Sequence, residues 1–412
     1  MKASLSKNDI VNILGKMIIL LPLLLLYYSE VLMYLRSDYS GLIKVCTTFY
    51  MMIYAFFQLK YHGYLIAFIV FFLPFFVYGI FNSFSLTAAL NEGVRYLFPI
   101  AVLLYGFAIR KHFKLLIHFF LIFVLINDLW QIINYINWAK GVDQWFYLYR
   151  PDAPRFYNMS SDIIRATGIV GFFGLHGFIN LIAFLLARKY YHGKFKIALL
   201  AIFVVSMFLS FSYKTLGTFI LFLFFEMKNK LKILGYCLGV FLIGLIFLPK
   251  TLESMQESFV YRVNEYVIEG NSARADSYRV MFDEIKDGNL FGRGVGSFGG
   301  PASVKYKSPI YKEVRFRWYS TTDLTTTDTF FPHLFVEMGL IGAMFYLFIL
   351  IVPLAFLKWR IDKFKLALLI YLALFIDTLF SYALNNILFL IFSLLFIYPL
   401  YYYEDNLKIK NE

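Results

Sequence analysis

The feature that most constrains this chain is a series of long apolar segments that recurs from its beginning to its end. A helix needs about 20 consecutive apolar residues to cross the hydrocarbon core of a bilayer. The chain is 60% hydrophobic and only 16% charged, whereas soluble domains carry about 25% charged residues. This composition excludes a soluble globular enzyme, a disordered protein and a secreted disulfide scaffold. It predicts an all-α, polytopic integral membrane protein.

The hydropathy pattern predicts about twelve transmembrane helices. They are residues 10–29, 40–58, 62–81, 93–109, 114–137, 166–187, 196–211, 213–226, 232–249, 333–357, 365–382 and 385–403. The chain then divides into nine helices in residues 1–249, one large outer loop in residues 250–332, and three helices with a short cytoplasmic tail in residues 333–412. The even number places both termini on the same side.

Basic residues set the orientation of these helices. Lys and Arg cluster in every second connection, as at Arg110–Lys114 and Arg188–Lys196, and such clusters mark the cytoplasmic side. We therefore expect a multi-pass protein of the cytoplasmic (inner) membrane with both termini cytoplasmic and the large loop periplasmic or extracellular. The net charge of +13 comes from basic residues in the connections between apolar segments, so we attribute it to membrane topology. We therefore expect no nucleic-acid partner.

The large loop contains a predicted helix followed by a glycine run. Asn271 or Ser272 can cap a helix that extends to about Lys286. This helix is either a short amphipathic helix on the membrane or a packed surface helix whose arginine snorkels. The glycines after it formally match a dinucleotide fingerprint, but that fingerprint needs a preceding strand. We expect them instead to turn the chain sharply or to let backbone N–H groups approach an anion.

Charged residues occur at or near the ends of several predicted spans. Arg95, Arg165 and Lys214 lie at outer ends. They either mark the membrane interface or, if the helices bundle, line one cavity that suits a polyanionic headgroup such as a pyrophosphate. His176 and Asn180, one turn apart, are expected to be packed polar residues. No ligand spacing typical of a metal site is found, so we expect neither a metal nor a cofactor.

Three segments together resemble the O-antigen polymerase and ligase superfamily (Wzy and WaaL types). The first is Arg165-Ala-Thr-Gly168, similar to an Arg-x-x-Gly motif before an apolar run. The second is Arg274, with an aromatic four residues later and a Gly-x-Gly turn that begins eighteen residues later at Gly292. The aromatic is usually Trp and is Tyr278 here. The third, residues 328–342, reads DTFFPHLFVEMGLIG and resembles the pattern at which the chain re-enters the membrane.

This resemblance implies a GT-C-like fold and a metal-independent glycosyltransferase that acts on the outer leaflet. The implied donor is a glycan on a polyprenyl (undecaprenyl) pyrophosphate, and the acceptor is a sugar hydroxyl of another lipid-linked repeat unit of an O-antigen or capsule. The implied partners are polyprenyl-linked oligosaccharides and membrane lipids, together with a flippase and a chain-length regulator.

Such a reaction needs cations for the departing pyrophosphate and a base for the hydroxyl proton. We assign the pyrophosphate to five basic residues: Arg165, Arg274, Arg279, Lys214 and Arg95. Asp328 is the first candidate for the catalytic base, and His333 and Glu337 are the alternatives. A carboxylate here could instead only orient an arginine. Tyr278, Trp318 and Tyr319 are expected to contact sugar or lipid, although aromatic residues equally suit the headgroup belt.

Three other functions compete with the polymerase. A ligase would transfer the glycan to lipid A core or to a protein, but ligases tend to carry a histidine where this chain has Asp328. A lipid-linked sugar transporter commonly shows internal repeats, and we find none. A structural or assembly membrane protein would not need an arginine spaced to match a glycine turn. The sequence therefore favours the polymerase.

Overall fold

The computed structural model of the chain describes residues 7–34, 39–58, 63–141, 158–160, 163–227, 249–264, 272–316, 326–357 and 361–403, with isolated helical residues at 231, 235 and 239. This part of the chain is almost entirely helical, as the composition predicts.

Eight helices make up the first half of the chain. They are α1 (Lys7–Tyr34), α2 (Tyr39–Gln58), α3 (Gly63–Phe81), α4 (Leu86–Ala108), α5 (Phe113–Ala139), α6 (Phe173–Tyr190), α7 (Lys196–Leu209) and α8 (Tyr213–Glu226). Each overlaps one of the first eight predicted spans. A short antiparallel pair of strands, β1 (Asn158–Ser160) and β2 (Ile163–Ile164), precedes α6. The ninth predicted span falls almost entirely outside the described residues.

Four short helices lie within the predicted large loop. They are α9 (Pro249–Val263), α10 (Ala273–Lys286), α11 (Pro301–Lys305) and α12 (Ile310–Glu313). The predicted helix in this loop is therefore confirmed as α10. The Ser272 side chain caps it by accepting a hydrogen bond from the backbone N–H of Ala275 at 3.1 Å.

The chain ends in α13 (Phe331–Leu357), α14 (Ile361–Leu379) and a run of short helical segments. The run consists of a 3₁₀ turn at Ala383–Asn385, α15 (Ile387–Ile391), a 3₁₀ turn at Leu394–Phe396 and α16 (Ile397–Tyr402). The span predicted over residues 385–403 is therefore helical for most of its length but is interrupted at residues 392–393. The Asn386 side chain caps α15, and Ser393 donates to the Phe389 carbonyl at 2.6 Å, so local side-chain bonds compete with a continuous helix here.

Four helices of the described part are long and apolar enough to cross a membrane: Val11–Leu32, Tyr39–Gln58, Arg110–Ala139 and Phe331–Ala355. Shorter apolar helices occur at Leu65–Phe81, Lys196–Leu209 and Ile387–Tyr402. The structure thus supports a protein with several membrane-spanning helices, and the count of twelve stays a prediction.

Helix α4 lies at the centre of the bundle. It packs against α2, α3, α13 and the broken C-terminal run. Its buried face includes Tyr96 and Tyr105, which are fully buried. The α13 helix packs along α3 through aromatic pairs such as Phe71–Phe345 and Phe75–Phe345. This packing brings the end of α3 and the starts of α4 and α13 next to one another.

Candidate functional site

The large loop is joined to the bundle by backbone hydrogen bonds at a break in α13. The break is at Gly339, whose backbone has φ 67° and ψ 178°. Where a helix is broken, some backbone N–H and C=O groups have no hydrogen-bond partner inside the helix. Here the backbone of loop residues 289–294 provides these partners. The four bonds join Arg293 N to Val336 O (2.8 Å), Gly294 N to Glu337 O (3.1 Å), Leu340 N to Asn289 O (3.1 Å) and Ile341 N to Leu290 O (3.2 Å). We call this pairing the glycine clasp.

The clasp explains the glycine run that the sequence singled out. Gly292 has φ 87°, and a side chain there would collide with the backbone at Glu337 and Gly339. The chain after Gly294 also lies close to the end of α3, where the Val295 N–H donates to the Gly79 carbonyl at 2.8 Å. The glycines therefore turn the chain sharply, which is the first of the two roles predicted for them, and this turn lets the loop lie against the break in α13.

A buried polar cluster lies directly beneath the clasp. His333, Glu337 and Glu92 are all 0% exposed. The Nε2 atom of His333 is 2.8 Å from Oε2 of Glu337. Glu337 also accepts hydrogen bonds from the Tyr96 hydroxyl (3.0 Å) and from a backbone N–H of the loop (2.9 Å). Tyr382 completes the cluster by donating to Oε1 of Glu92 at 2.7 Å and contacting Nδ1 of His333.

Two basic side chains face two carboxylates in this cluster. Tyr382 has one hydroxyl hydrogen, and its bond to Glu92 uses it. The Asn385 amide nitrogen also lies 3.3 Å from Nδ1 of His333. Nε2 of His333 lies 3.8 Å from Glu92 as well as 2.8 Å from Glu337, and Nε of Arg95 lies 3.7 Å from Glu92. Each buried carboxylate therefore has a basic side chain beside it.

We expect Glu337→Gln to destabilise the protein by about 3–5 kcal/mol, because it removes one member of the buried pair that Glu337 forms with His333. Thermal unfolding of the purified protein in detergent measures this loss. The matched control is Glu226→Gln, which breaks the exposed ion pair between Arg188 and Glu226 (2.9 Å) and should cost less than about 1 kcal/mol. Equal losses for the two variants would contradict a stabilising role for the buried contact between His333 and Glu337.

A cavity of about 790 Å³ opens beside the cluster, within the size range of small-molecule sites. Its walls come from the start of α2, the start of α4, α11 and residues 381–389. The charged and hydroxyl-bearing side chains that line it include Lys44, Glu92, Arg95, Lys305, Asp328 and Tyr382. It therefore combines three cations with two carboxylates at one end of an otherwise apolar bundle.

Asp328 and Arg274 form an ion pair at this cavity. The Asp328 side chain is 50% exposed, and its backbone has a left-handed φ of 59°, a strained conformation that is found often at functional sites. Thr326 helps to hold it, because its hydroxyl oxygen accepts from the Asp328 backbone N–H at 3.0 Å. An accessible carboxylate is thus held beside an arginine at the cavity.

Tyr278 anchors the helix that carries Arg274. Its hydroxyl donates to the Leu379 carbonyl at the end of α14, at 2.9 Å. Burial raises the pKa of Tyr278 to about 12, so the hydroxyl remains a hydrogen-bond donor at neutral pH. The contact shown by the structure is with the protein backbone, and its predicted contact with sugar or lipid stays a prediction.

Arg165 lies in a tightly held turn and does not line the cavity. It is buried, and its guanidinium lies 4.5 Å from the centre of the Phe173 ring. The backbone after it is held by α5. The side-chain oxygen of Gln131 accepts from two consecutive backbone N–H groups at 2.9 Å, and that of Asn127 accepts from the next at 2.8 Å. The motif therefore forms a defined turn at the start of α6.

The other predicted pyrophosphate ligands lie apart from the cavity. Lys214 forms an ion pair with Asp377 that joins α8 to α14. The Arg279 guanidinium donates to Asp276 (2.7 Å), Asp283 (3.0 Å) and the carbonyls of Val314 and Arg315 (3.2 Å each). These contacts use most of its donors to hold α10 against the residues after α12, so they do not favour pyrophosphate binding by Arg279. Trp318 and Tyr319 lie outside the described residues.

Sequence reasoning missed Glu92 and Tyr382. Glu92 lies one residue before the predicted span at 93–109, so the predicted bounds exclude it, whereas α4 begins at Leu86. Its spacing of three residues from Arg95 was the available signal. Tyr382 is one of 32 tyrosines and carries no local signal of its own.

Comparisons of the chain with protein-family models, with curated proteins and with solved structures find no match. Within the described residues, no group of three or more His, Cys, Asp and Glu side chains could hold a metal ion. Function is therefore inferred from the chemistry of the site.

Proposed function

We propose that the protein is a polysaccharide polymerase of the O-antigen polymerase and ligase superfamily. It transfers a glycan from a polyprenyl-pyrophosphate donor to a sugar hydroxyl of another lipid-linked repeat unit. The observation that carries this proposal is the Arg274–Asp328 ion pair at the large cavity. Arg274 belongs to the second resembling segment and Asp328 to the third, so two motifs 54 residues apart supply one site.

The glycines of the same two motifs meet as well. Gly292 belongs to the second segment and Gly339 to the third, and in the glycine clasp their backbones are so close that neither could carry a side chain. A chance match of loose motifs would not require the arginine of one motif to pair with the aspartate of the other, or the glycines of the two motifs to meet. This agreement supports the resemblance independently of the composition.

The placement of residues also supports the proposed topology. The cavity walls come from the starts of α2 and α4, from α11 and from residues 381–389, all of which the positive-inside pattern assigns to the outer side. Basic side chains assigned to the inner side gather elsewhere: Arg110 lies over Tyr402, Lys114 over Tyr403, and Lys363 donates to the Tyr401 carbonyl. We therefore propose about twelve spans, a GT-C-like fold and a catalytic cavity at the outer leaflet of the cytoplasmic membrane.

The geometry supports a direct displacement. Asp328 accepts the proton of the acceptor hydroxyl, and the sugar oxygen attacks the anomeric carbon of the donor glycan. The bond from that carbon to the pyrophosphate oxygen breaks, and the polyprenyl pyrophosphate leaves with the electron pair. Arg274 orients Asp328 through their ion pair. Arg95, at the cavity wall, stabilises the leaving pyrophosphate, while His333 and Glu337 hold that wall as positioning residues.

Deletion of the gene tests this function. We expect the surface glycan of the deleted strain, run on a gel, to collapse from a ladder to a single repeat unit on its carrier, and the wild-type gene to restore the ladder. Long polymer that accumulates on the polyprenyl carrier would favour the ligase instead. Repeat units retained on the cytoplasmic side would favour the transporter, and an unchanged ladder would contradict all three. A flippase and a chain-length regulator are the proposed partners.

A further inference from the structure

A second cavity, which shares no lining residue with the first, lies between the end of α6, the end of α8 and the start of α14. Its volume is about 390 Å³, within the size range of small-molecule sites. Its polar lining consists of three cations and one carboxylate: Arg188, Lys189, Lys365 and Glu226. These residues belong to the basic clusters that the positive-inside pattern assigns to the cytoplasmic side.

The charges in this cavity are not balanced. Glu226 accepts from one nitrogen of the Arg188 guanidinium at 2.9 Å, and it is the only carboxylate that lines the cavity within the described part of the chain. Three cations against one carboxylate leave an excess of two positive charges. Lys365 is exposed at the cavity. The nearby Lys363 is instead buried and donates to the Tyr401 carbonyl at 2.9 Å. The cavity therefore favours an anion.

The rest of the lining is apolar. Leu185, Phe222, Leu366 and Leu369 are all buried, with 3–7% of each side chain exposed. Exposed apolar side chains follow on the same helices, among them Phe225 (68%) and Leu368 (45%). A small inorganic anion would gain nothing from these surfaces. A ligand with an anionic head and hydrocarbon chains would use both.

We propose that this cavity binds the headgroup of an anionic glycerophospholipid of the cytoplasmic leaflet. Basic pockets between transmembrane helices on the cytoplasmic side bind such headgroups. The phosphate contacts Arg188 and Lys365, and the acyl chains lie along the exposed apolar surface of α8 and α14. The excess of two positive charges favours a lipid with two phosphates over one with a single phosphate. This site does not depend on the reaction proposed above.

Native mass spectrometry of the full-length chain with cardiolipin tests the site. We expect Lys365→Gln and Arg188→Gln each to lower the affinity for cardiolipin about fivefold, because one cation near the membrane surface is lost in each variant. Lys194→Gln, an exposed cation outside the cavity on the same predicted side, is the matched control and should bind as the wild type does. Glu226→Gln should bind cardiolipin more tightly, because it removes the competing anion.

Two comparisons separate the lipid from simpler ligands. Zwitterionic phosphatidylethanolamine should bind more weakly than cardiolipin, and free glycerol phosphate in large excess should not displace cardiolipin. The proposal is overturned if the Lys365 and Arg188 variants keep wild-type affinity, if the two lipids bind equally, or if glycerol phosphate displaces the lipid. Because Lys365 is exposed, its variant tests the site even if Arg188→Gln fails to fold.

Discussion

Arg274→Ala is expected to lower polymer synthesis by about 100- to 1,000-fold, the loss typical of removing one electrostatic contact from a transition state. Arg274 forms an ion pair with Asp328, which lines the cavity. Without it, the carboxylate loses its orientation and the site loses a cation. The measurement is the rate at which the purified protein extends lipid-linked repeat units, with the glycan ladder of complemented cells as a second readout.

The controls for Arg274→Ala separate catalysis from folding. Lys286→Ala removes an exposed cation from the last turn of the same helix and should leave synthesis unchanged. Asp328→Asn keeps the shape of the side chain but removes the base, and we expect it to be as inactive as Arg274→Ala. The charge-swapped variant, Arg274→Asp with Asp328→Arg, keeps an ion pair. Recovery of synthesis in that variant would show that the pair is structural and would contradict our assignment of the base.

Much of the fold could be predicted from the sequence because helices in a membrane are encoded locally. The apolar runs and the basic clusters between them predicted α1 to α8, and the capping residue Ser272 predicted the start of α10. The broken run after residue 382 could not be predicted in this way. Its sequence is as apolar as that of a span, and the breaks depend on side-chain bonds of Asn386 and Ser393.

The site was only partly predictable, because side-chain contacts across the bundle decide which charged residues meet. The resemblance to the polymerase and ligase superfamily indicated Arg274 and Asp328, and the structure brings them together. The same reasoning assigned Arg279 to the pyrophosphate, whereas its donors are used by carboxylates of its own helix and by backbone carbonyls. Glu92 reaches His333 only through the packing of α4 against α13, which no local pattern reveals.

The glycine clasp predicts that Gly339→Ala destabilises the protein by more than about 3 kcal/mol. The backbone of Gly339, with φ 67° and ψ 178°, lies in a region that only glycine populates readily, and strain of this kind costs about 1–3 kcal/mol by itself. A methyl group there would also collide with the backbone at Leu290 and Gly292. We expect both a loss of folded protein on size-exclusion chromatography and a lower midpoint of thermal unfolding.

Gly217→Ala is the matched control, because Gly217 lies within α8 and a methyl group there would have no atom within 4 Å. Alanine favours a helix over glycine by about 1 kcal/mol, so this variant should be as stable as the wild type or more stable. If Gly339→Ala unfolded at the wild-type temperature, the backbone pairing between the loop and α13 would not hold the loop. Because the same pairing places Glu337 beneath the loop and Asp328 at the cavity, the proposed site would then lose its structural basis as well.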